Sequence, residues 1–241
     1  WQWLANNTTG STNDDGSVDS TVAANTTAGF SICKLNPGGN SNITFGHGLG
    51  VAPRLVIVKD LEDATNWQVL HLDQGVGNKL FLNSTAAAAS DANMWQNTAP
   101  TSTVVSMGTA QTTNEQFIAY CFAEIPGYSS IGIYEANAAT DGPFIYTGFK
   151  PAFVLIKNID ATEEWWIQDS AREPFNGGNM ARLAANSNAA EVDNVAWFDF
   201  LSNGLKVRYN GGGINASGTH IYIAFAEHPF GGDGVAPATA R

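Results

Sequence analysis

Short apolar stretches broken by Gly, Asn and Thr dominate this chain, and their period is that of strands. The clearest reads Phe-Ile-Ala-Tyr-Cys-Phe-Ala-Glu-Ile-Pro-Gly over residues 117–127. It is an apolar strand of alternating and small residues that ends in Phe122-Ala123-Glu124 and a proline stop. Phe30 and Ile32 alternate with polar neighbours over residues 29–34, and further strands are predicted at 55–59, 67–72, 79–83 and 104–107. A second series follows at 131–135, 144–147, 153–157, 165–169, 181–185, 197–201, 205–209 and 220–227. Residues 36–40, 141–143 and 210–213 are turns by composition. Asn203-Gly204, between two apolar runs, predicts a tight hairpin turn with positive φ at both positions. The run Ala86-Ala87-Ala88-Ala89 offers at most one helical turn. Short strands with no amphipathic helix between them indicate an all-β fold, an antiparallel sandwich or jelly roll.

The two series are related. Phe-Ala-Glu-x-Pro occurs at Phe122 and again at Phe225. Pro53-Arg54-Leu55-Val56-Ile57-Val58-Lys59 answers Pro151-Ala152-Phe153-Val154-Leu155-Ile156-Lys157. Trp67 follows Lys59 at the distance at which Trp165 follows Lys157, Asn83-Ser84-Thr85-Ala86-Ala87 answers Asn186-Ser187-Asn188-Ala189-Ala190, and Trp95 answers Trp197. Ordered matches of this kind are the mark of an internal duplication. The expected architecture is two tandem homologous antiparallel β-sandwich domains, jelly-roll or lectin-like, at residues 24–126 and 127–230. Residues 231–241 form a Gly/Ala/Pro tail expected on the surface. Trp1-Gln2-Trp3-Leu4-Ala5 resembles the closing strand at 120–124, so residues 1–23 are expected to be the last strand of an earlier repeat plus a polar linker, with the polypeptide extending upstream. The linker, residues 6–25, should be irregular or paired along one sheet edge.

Charge narrows the partners. Charged residues make up 14% of the 241 residues and the net charge is −11. An acidic chain without a basic stripe is a poor match for nucleic acid and for anionic membrane surfaces, and no apolar run reaches transmembrane length. Cys33 and Cys121 lie inside apolar strand patterns, without the spacing of a metal site. Buried free thiols are the expectation, with a bridge between them as the alternative.

Candidate chemistry is sparse. Asn13, Asp14, Asp15 and Asp19 supply the hard oxygens that Ca²⁺ takes, although their spacing is not that of an EF-hand and no Glu closes the loop; a solvated turn is the competing reading. Gly46, Gly48 and Gly50 lack the strand–loop–helix context of a phosphate loop, and His47 between them reads as a hydrogen-bonding loop histidine. Glu163-Glu164 and Asp169 flank Trp165-Trp166, a juxtaposition found in glycoside hydrolases and in sugar platforms. Alternation places Trp165 with Ile167 on one face and Trp166 with Gln168 on the other. With Trp165 matching Trp67 as core, Trp166 is the exposed candidate, and Trp166, Gln168 and Glu164 form the expected ligand-binding set. Glu124 and Glu227 recur at equivalent positions, as polar strand ends or structural hydrogen-bonding groups. Asn6, Asn7, Asn25, Asn42, Asn83 and Asn215 begin N-x-[ST] patterns, at a frequency that chance explains in so Asn-, Thr- and Ser-rich a chain.

Several long runs resemble a family of tail proteins of marine tailed bacteriophages. They are ANTTAGFSI from Ala24, GHGLGVAP from Gly46, LNSTAAA from Leu82, IAYCFAE from Ile118, DGPFIYTGFKPAFVLIK from Asp141 and FAEHPFGG from Phe225. The resemblance covers nearly the whole chain and implies tandem copies of such a domain near the C-terminus of a virion structural or host-contacting protein. It brings no catalytic motif. It implies a homo-oligomer in the virion tail, assembled in the host cytoplasm, with other tail proteins and a host-surface glycan or protein receptor as partners. A lectin-like glycan-binding module and a polysaccharide-degrading tail enzyme are the alternatives.

Overall fold

The computed structural model describes residues 3–108, 115–172, 175–193 and 195–227. The chain is all-β and divides into two compact units, Trp1–Leu82 with Ala88–Glu124, and Asn83–Ala87 with Ile125–Arg241. The tail at 231–241 and Pro229 of the second Phe-Ala-Glu-x-Pro motif lie outside the described residues.

Unit one contains β1 (Ser11–Asn13), β2 (Ser20–Asn25), β3 (Phe30–Leu35), β4 (Ile43–Gly46), β5 (Leu55–Asp60), β6 (Gln68–His71), β7 (Asn78–Phe81), β8 (Ala89–Ser90), β9 (Val104–Met107) and β10 (Phe117–Phe122). Its large sheet runs β1-β2-β3-β10-β5-β6-β7-β8, and β4 pairs with β9 in a second layer. Period-two alternation sends Cys33 and Leu35, Val56 and Val58, and Ala119 and Cys121 inward. There they meet Ile43 and Phe45 of β4, Val105 and Met107 of β9, and the fully buried Trp95.

Unit two contains β11 (Ser129–Ala136), β12 (Phe144–Tyr146), β13 (Pro151–Asn158), β14 (Trp166–Asp169), β15 (Ala181–Ala184), β16 (Val192–Asp193), β17 (Phe198–Leu201), β18 (Gly204–Val207), the short helix α1 (Gly212–Asn215) and β19 (Gly218–Ala226). Its large sheet runs β11-β19-β13-β14-β15-β16, and β12-β18-β17 form the second layer. The core holds Val154 and Ile156 of β13, Tyr222 and Ala224 of β19, Leu205 and Val207 of β18, and Trp197.

The two large sheets share one path. In unit one Ile32 pairs with Tyr120, Tyr120 with Ile57, Ile57 with Val69 and Val69 with Leu80. In unit two Ile131 pairs with Ile223, Ile223 with Leu155, Leu155 with Ile167 and Ile167 with Leu183. A one-residue slip would exchange the faces of a whole strand, and these rows keep step; the pairing of β13 with β19 shifts register only at its start, between Pro151 and Phe153. Details agree too: Leu82 N donates to Trp67 O and Ala185 N to Trp165 O, while Ala123 N donates to Gly29 O and Ala226 N to Tyr128 O.

Several expectations are corrected. Residues 3–5 form no strand; Trp3 packs edge-on against Phe122 at 5.8 Å, and the Leu4 carbonyl accepts from Asn25 Nδ2. Residues 86–88 are irregular and not helical, because Ala89–Ser90 is drawn into pairing with β7. The β17–β18 hairpin exists, but Leu201 pairs with Gly204, so Ser202-Asn203 make its loop and Gly204 already belongs to the strand. Neither Asn203 nor Gly204 has positive φ. Gly204 is required by close approach, since a Cβ there would sit 2.1 Å from the Ile145 carbonyl oxygen.

Candidate functional site

The large sheet of unit one is apolar on both faces. Its inner face is the core; its outer face carries Phe30 and Ile32 of β3, Ile57 of β5, and Tyr120 and Phe122 of β10. With Trp3, Trp67 and Leu82 these residues line a cavity of about 480 Å³. The Trp67 and Tyr120 rings stack at 6.4 Å, and Phe30 lies 4.7 Å from Phe122. Trp3, Ile32, Ile57, Trp67, Leu82 and Tyr120 are all only half-buried. At the edge of this face stands Lys59, half-buried, whose Nζ donates to the carbonyls of Asp60 at 2.5 Å and Asp63 at 2.7 Å.

The corresponding positions of unit two are more enclosed. Ile131, Trp165, Ile223 and Phe225 are buried, and Leu155, the counterpart of Ile57, is half-buried. Lys157, the counterpart of Lys59, is 0% exposed, and its Nζ donates to the carbonyls of Asn158, Ala161 and Thr85. The first two correspond to the acceptors of Lys59; the third belongs to the Asn83–Ala87 turn, which is part of unit two. The same Thr85 carbonyl also accepts from Glu163 N at 2.9 Å. Burial pushes the Lys157 ammonium down to about 8, against the pull of Glu163 and Glu164.

At β14 the alternation holds, with Trp166 and Gln168 on one face, but that face is the core side of the sheet. Trp166 is half-buried and lies on the core side of its sheet, edge-on to Trp197 at 5.0 Å. The Arg182 guanidinium lies over its ring, 5.2 Å from the centroid. Gly213 passes so close that a Cβ there would stand 2.4 Å from Trp166 Nε1. Gln168 is buried beside it on the inner face. Glu164 is half-buried and accepts from Asn186 Nδ2. The exposed Trp166 platform is thus corrected: it is Trp165 that faces outward in the pleat, and Trp165 is buried there, on a face whose rim at Ile133 and Leu183 is exposed.

Asp14, Asp15 and Asp19 are exposed, in the turn joining β1 and β2. Asn13 bonds Asp15 twice, through Nδ2 to the carboxylate and through Oδ1 from the backbone N–H, so this amide shapes the turn. Among the described residues the carboxylates that converge are different ones, Asp60, Asp63 and Glu115, with ligand atoms within 4.8 Å of one another. Burial pushes the Asp60 carboxyl up. The Glu62 and Asp63 N–H donors, the hydrogen bond with Glu115 and the charge of Lys59 outweigh it and hold Asp60 below the usual range. These groups shape the turn after β5.

The remaining candidates are structural. His47 is fully buried; Leu49 N donates to its Nδ1, which fixes Nε2 as the protonated nitrogen that donates to the Thr101 carbonyl. Glu124 faces Arg54 at 3.8 Å and Glu227 pairs with Lys150 at 2.7 Å. Cys33 and Cys121 are free, buried thiols, and the hydrogen bond with Cys33 and then burial push the Cys121 thiol up. Asn215 is buried, its amide spent on Asn137, Ala139 and Tyr209, so its N-x-[ST] pattern is closed to glycosylation.

The chain belongs to the family described as a domain of unknown function, DUF7483, whose model matches residues 1–229. No curated protein and no solved structure matches the chain.

Proposed function

We propose that this chain is a structural and host-contacting module of a bacteriophage tail, of tail-fibre type, working by adhesion rather than catalysis. What supports the reading is the build: two β-sandwich units in one chain, in which the order β3-β10-β5-β6-β7-β8 of one large sheet is matched by β11-β19-β13-β14-β15-β16 of the other, with the same central cross-strand register. Copying of one rigid module would give such a build, which stands beside the run of motifs that resemble marine phage tail proteins. Repeated modules suit a fibre because several weak contacts made together give avidity that a single one lacks. The module's place is the virion tail, among other tail proteins, with a glycan or protein of the host surface as its receptor.

Immunogold labelling of gradient-purified tailed particles with an antibody to the chain tests this reading. Gold on the tails, and slower phage adsorption to cells pre-coated with the purified chain, is the expected result. An antigen that stays in the lysate and never sediments with particles overturns it.

A further inference from the structure

The chain carries two copies of one turn and two copies of the face that receives it, and the copies differ in state. In unit two the turn Asn83–Ala87 is seated: Ser84, Thr85 and Ala87 are half-buried, and the Thr85 carbonyl takes one hydrogen bond from Lys157 Nζ at 3.2 Å and one from Glu163 N at 2.9 Å. The second turn has the same local form. Ser84 Oγ accepts from Ala86 N and Ser187 Oγ from Ala189 N, each at 3.1 Å. Yet Ser187, Asn188, Ala189 and Ala190 are all exposed.

The receiving face shows the opposite asymmetry. Lys157 is enclosed and satisfied by three carbonyls. Lys59, at the matching place on β5, reaches, among the described residues, the two carbonyls within its own turn, although an ammonium has three protons to donate. Thr65, the counterpart of Glu163, is exposed, and beside it lies the half-open aromatic cavity of Trp67, Tyr120, Ile57 and Trp3. A contiguous apolar surface of this kind, next to an under-used cation, is the profile of an interaction surface.

We propose that the outer face of unit one binds the Asn186–Ala190 turn of a second copy of this chain. The Asn188 carbonyl takes the place that the Thr85 carbonyl holds in unit two, accepting from Lys59 Nζ and Thr65 N, and the aromatic cavity is covered in the same step. Because turn and face are different surfaces of one chain, the contact is heterologous and propagates head to tail, as a ring or an open row of copies. The proposal does not rest on the phage assignment; a chain from any source with these surfaces would associate in this way.

Sedimentation velocity of the 241-residue chain tests it, with loading raised to about 100 μM, where even a weak contact is populated. The wild type is expected to form species beyond the dimer as concentration rises. Ala189→Arg, in the exposed turn, and Ile57→Asp, on the face, are each expected to weaken association about tenfold or more, with far-UV circular dichroism unchanged for Ala189→Arg. Mixing the two variants gives the decisive arm. Each retains the half the other lacks, so the mixture should form a heterodimer that grows no further. A wild type that stays monomeric, association that survives Ala189→Arg, or a mixture no more associated than its parts overturns the proposal; a monomer would assign the face to a different occupant.

Discussion

At His47 the local geometry fixes a protonation state and with it a pH dependence. Burial pushes its pKa below 6.5, against the pull of the Thr101 bond and of Asp15. The folded state therefore binds fewer protons than the unfolded state just below pH 6.5, so stability is intact above that value and declines as pH falls through it. His220 shifts the same way, again chiefly by burial. Urea midpoints measured from neutral to mildly acid pH should fall, and His47→Gln should flatten that fall without abolishing it; an unchanged slope in the variant contradicts the assignment. Gly213 makes a second residue-scale case. Gly213→Ala sets a methyl against Trp166 Nε1 and Cδ1 and should cost about 1–3 kcal/mol in urea unfolding, with a change in Trp fluorescence. Trp166 also shows where sequence reading stops. Alternation separated its face from that of Trp165, but both faces of this sheet are apolar, so no period reveals which one the second layer covers.

Among the elements, long apolar strands were legible and short polar ones were not. β5, β10, β13 and β19 fall where alternation put them, within a residue or two. β2 reads as linker because it is Ser-Thr-Val-Ala-Ala-Asn. It needs only Val22, and Ala24 behind it, to grip the core, and its neighbour β1 sits at the sheet edge. β8 and β16, with two residues each, are too short to show a period. The second layer of unit two depends on two small places. Gly204→Val would drive a side chain into the Ile145 carbonyl, and loss of the β12–β18 pairing should cost about 3 kcal/mol, read as a lower thermal midpoint. Asn215→Ala leaves the groups that met its amide, Asn137, Ala139 and Tyr209, unpaired. It should cost about 2–3 kcal/mol; a change below half a kcal/mol would show that water replaces the amide.

For the molecule as a whole, the repeat motifs pointed to two like units, while the state of each outer face could not be read from them. Trp67 and Trp165 occupy the same place in the pattern, yet one is half-buried and the other 1% exposed. That difference depends on what lies over each sheet, which no local pattern encodes, and it is what singles out the open face of unit one. The likeness of the two units lies in the shared central register of their large sheets. Cross-strand NOEs test that claim most directly. Contacts linking Ile32 to Tyr120 and Tyr120 to Ile57 should be matched by contacts linking Ile131 to Ile223 and Ile223 to Leu155. A row in either unit displaced by one residue, or a different strand beside β19, would contradict it.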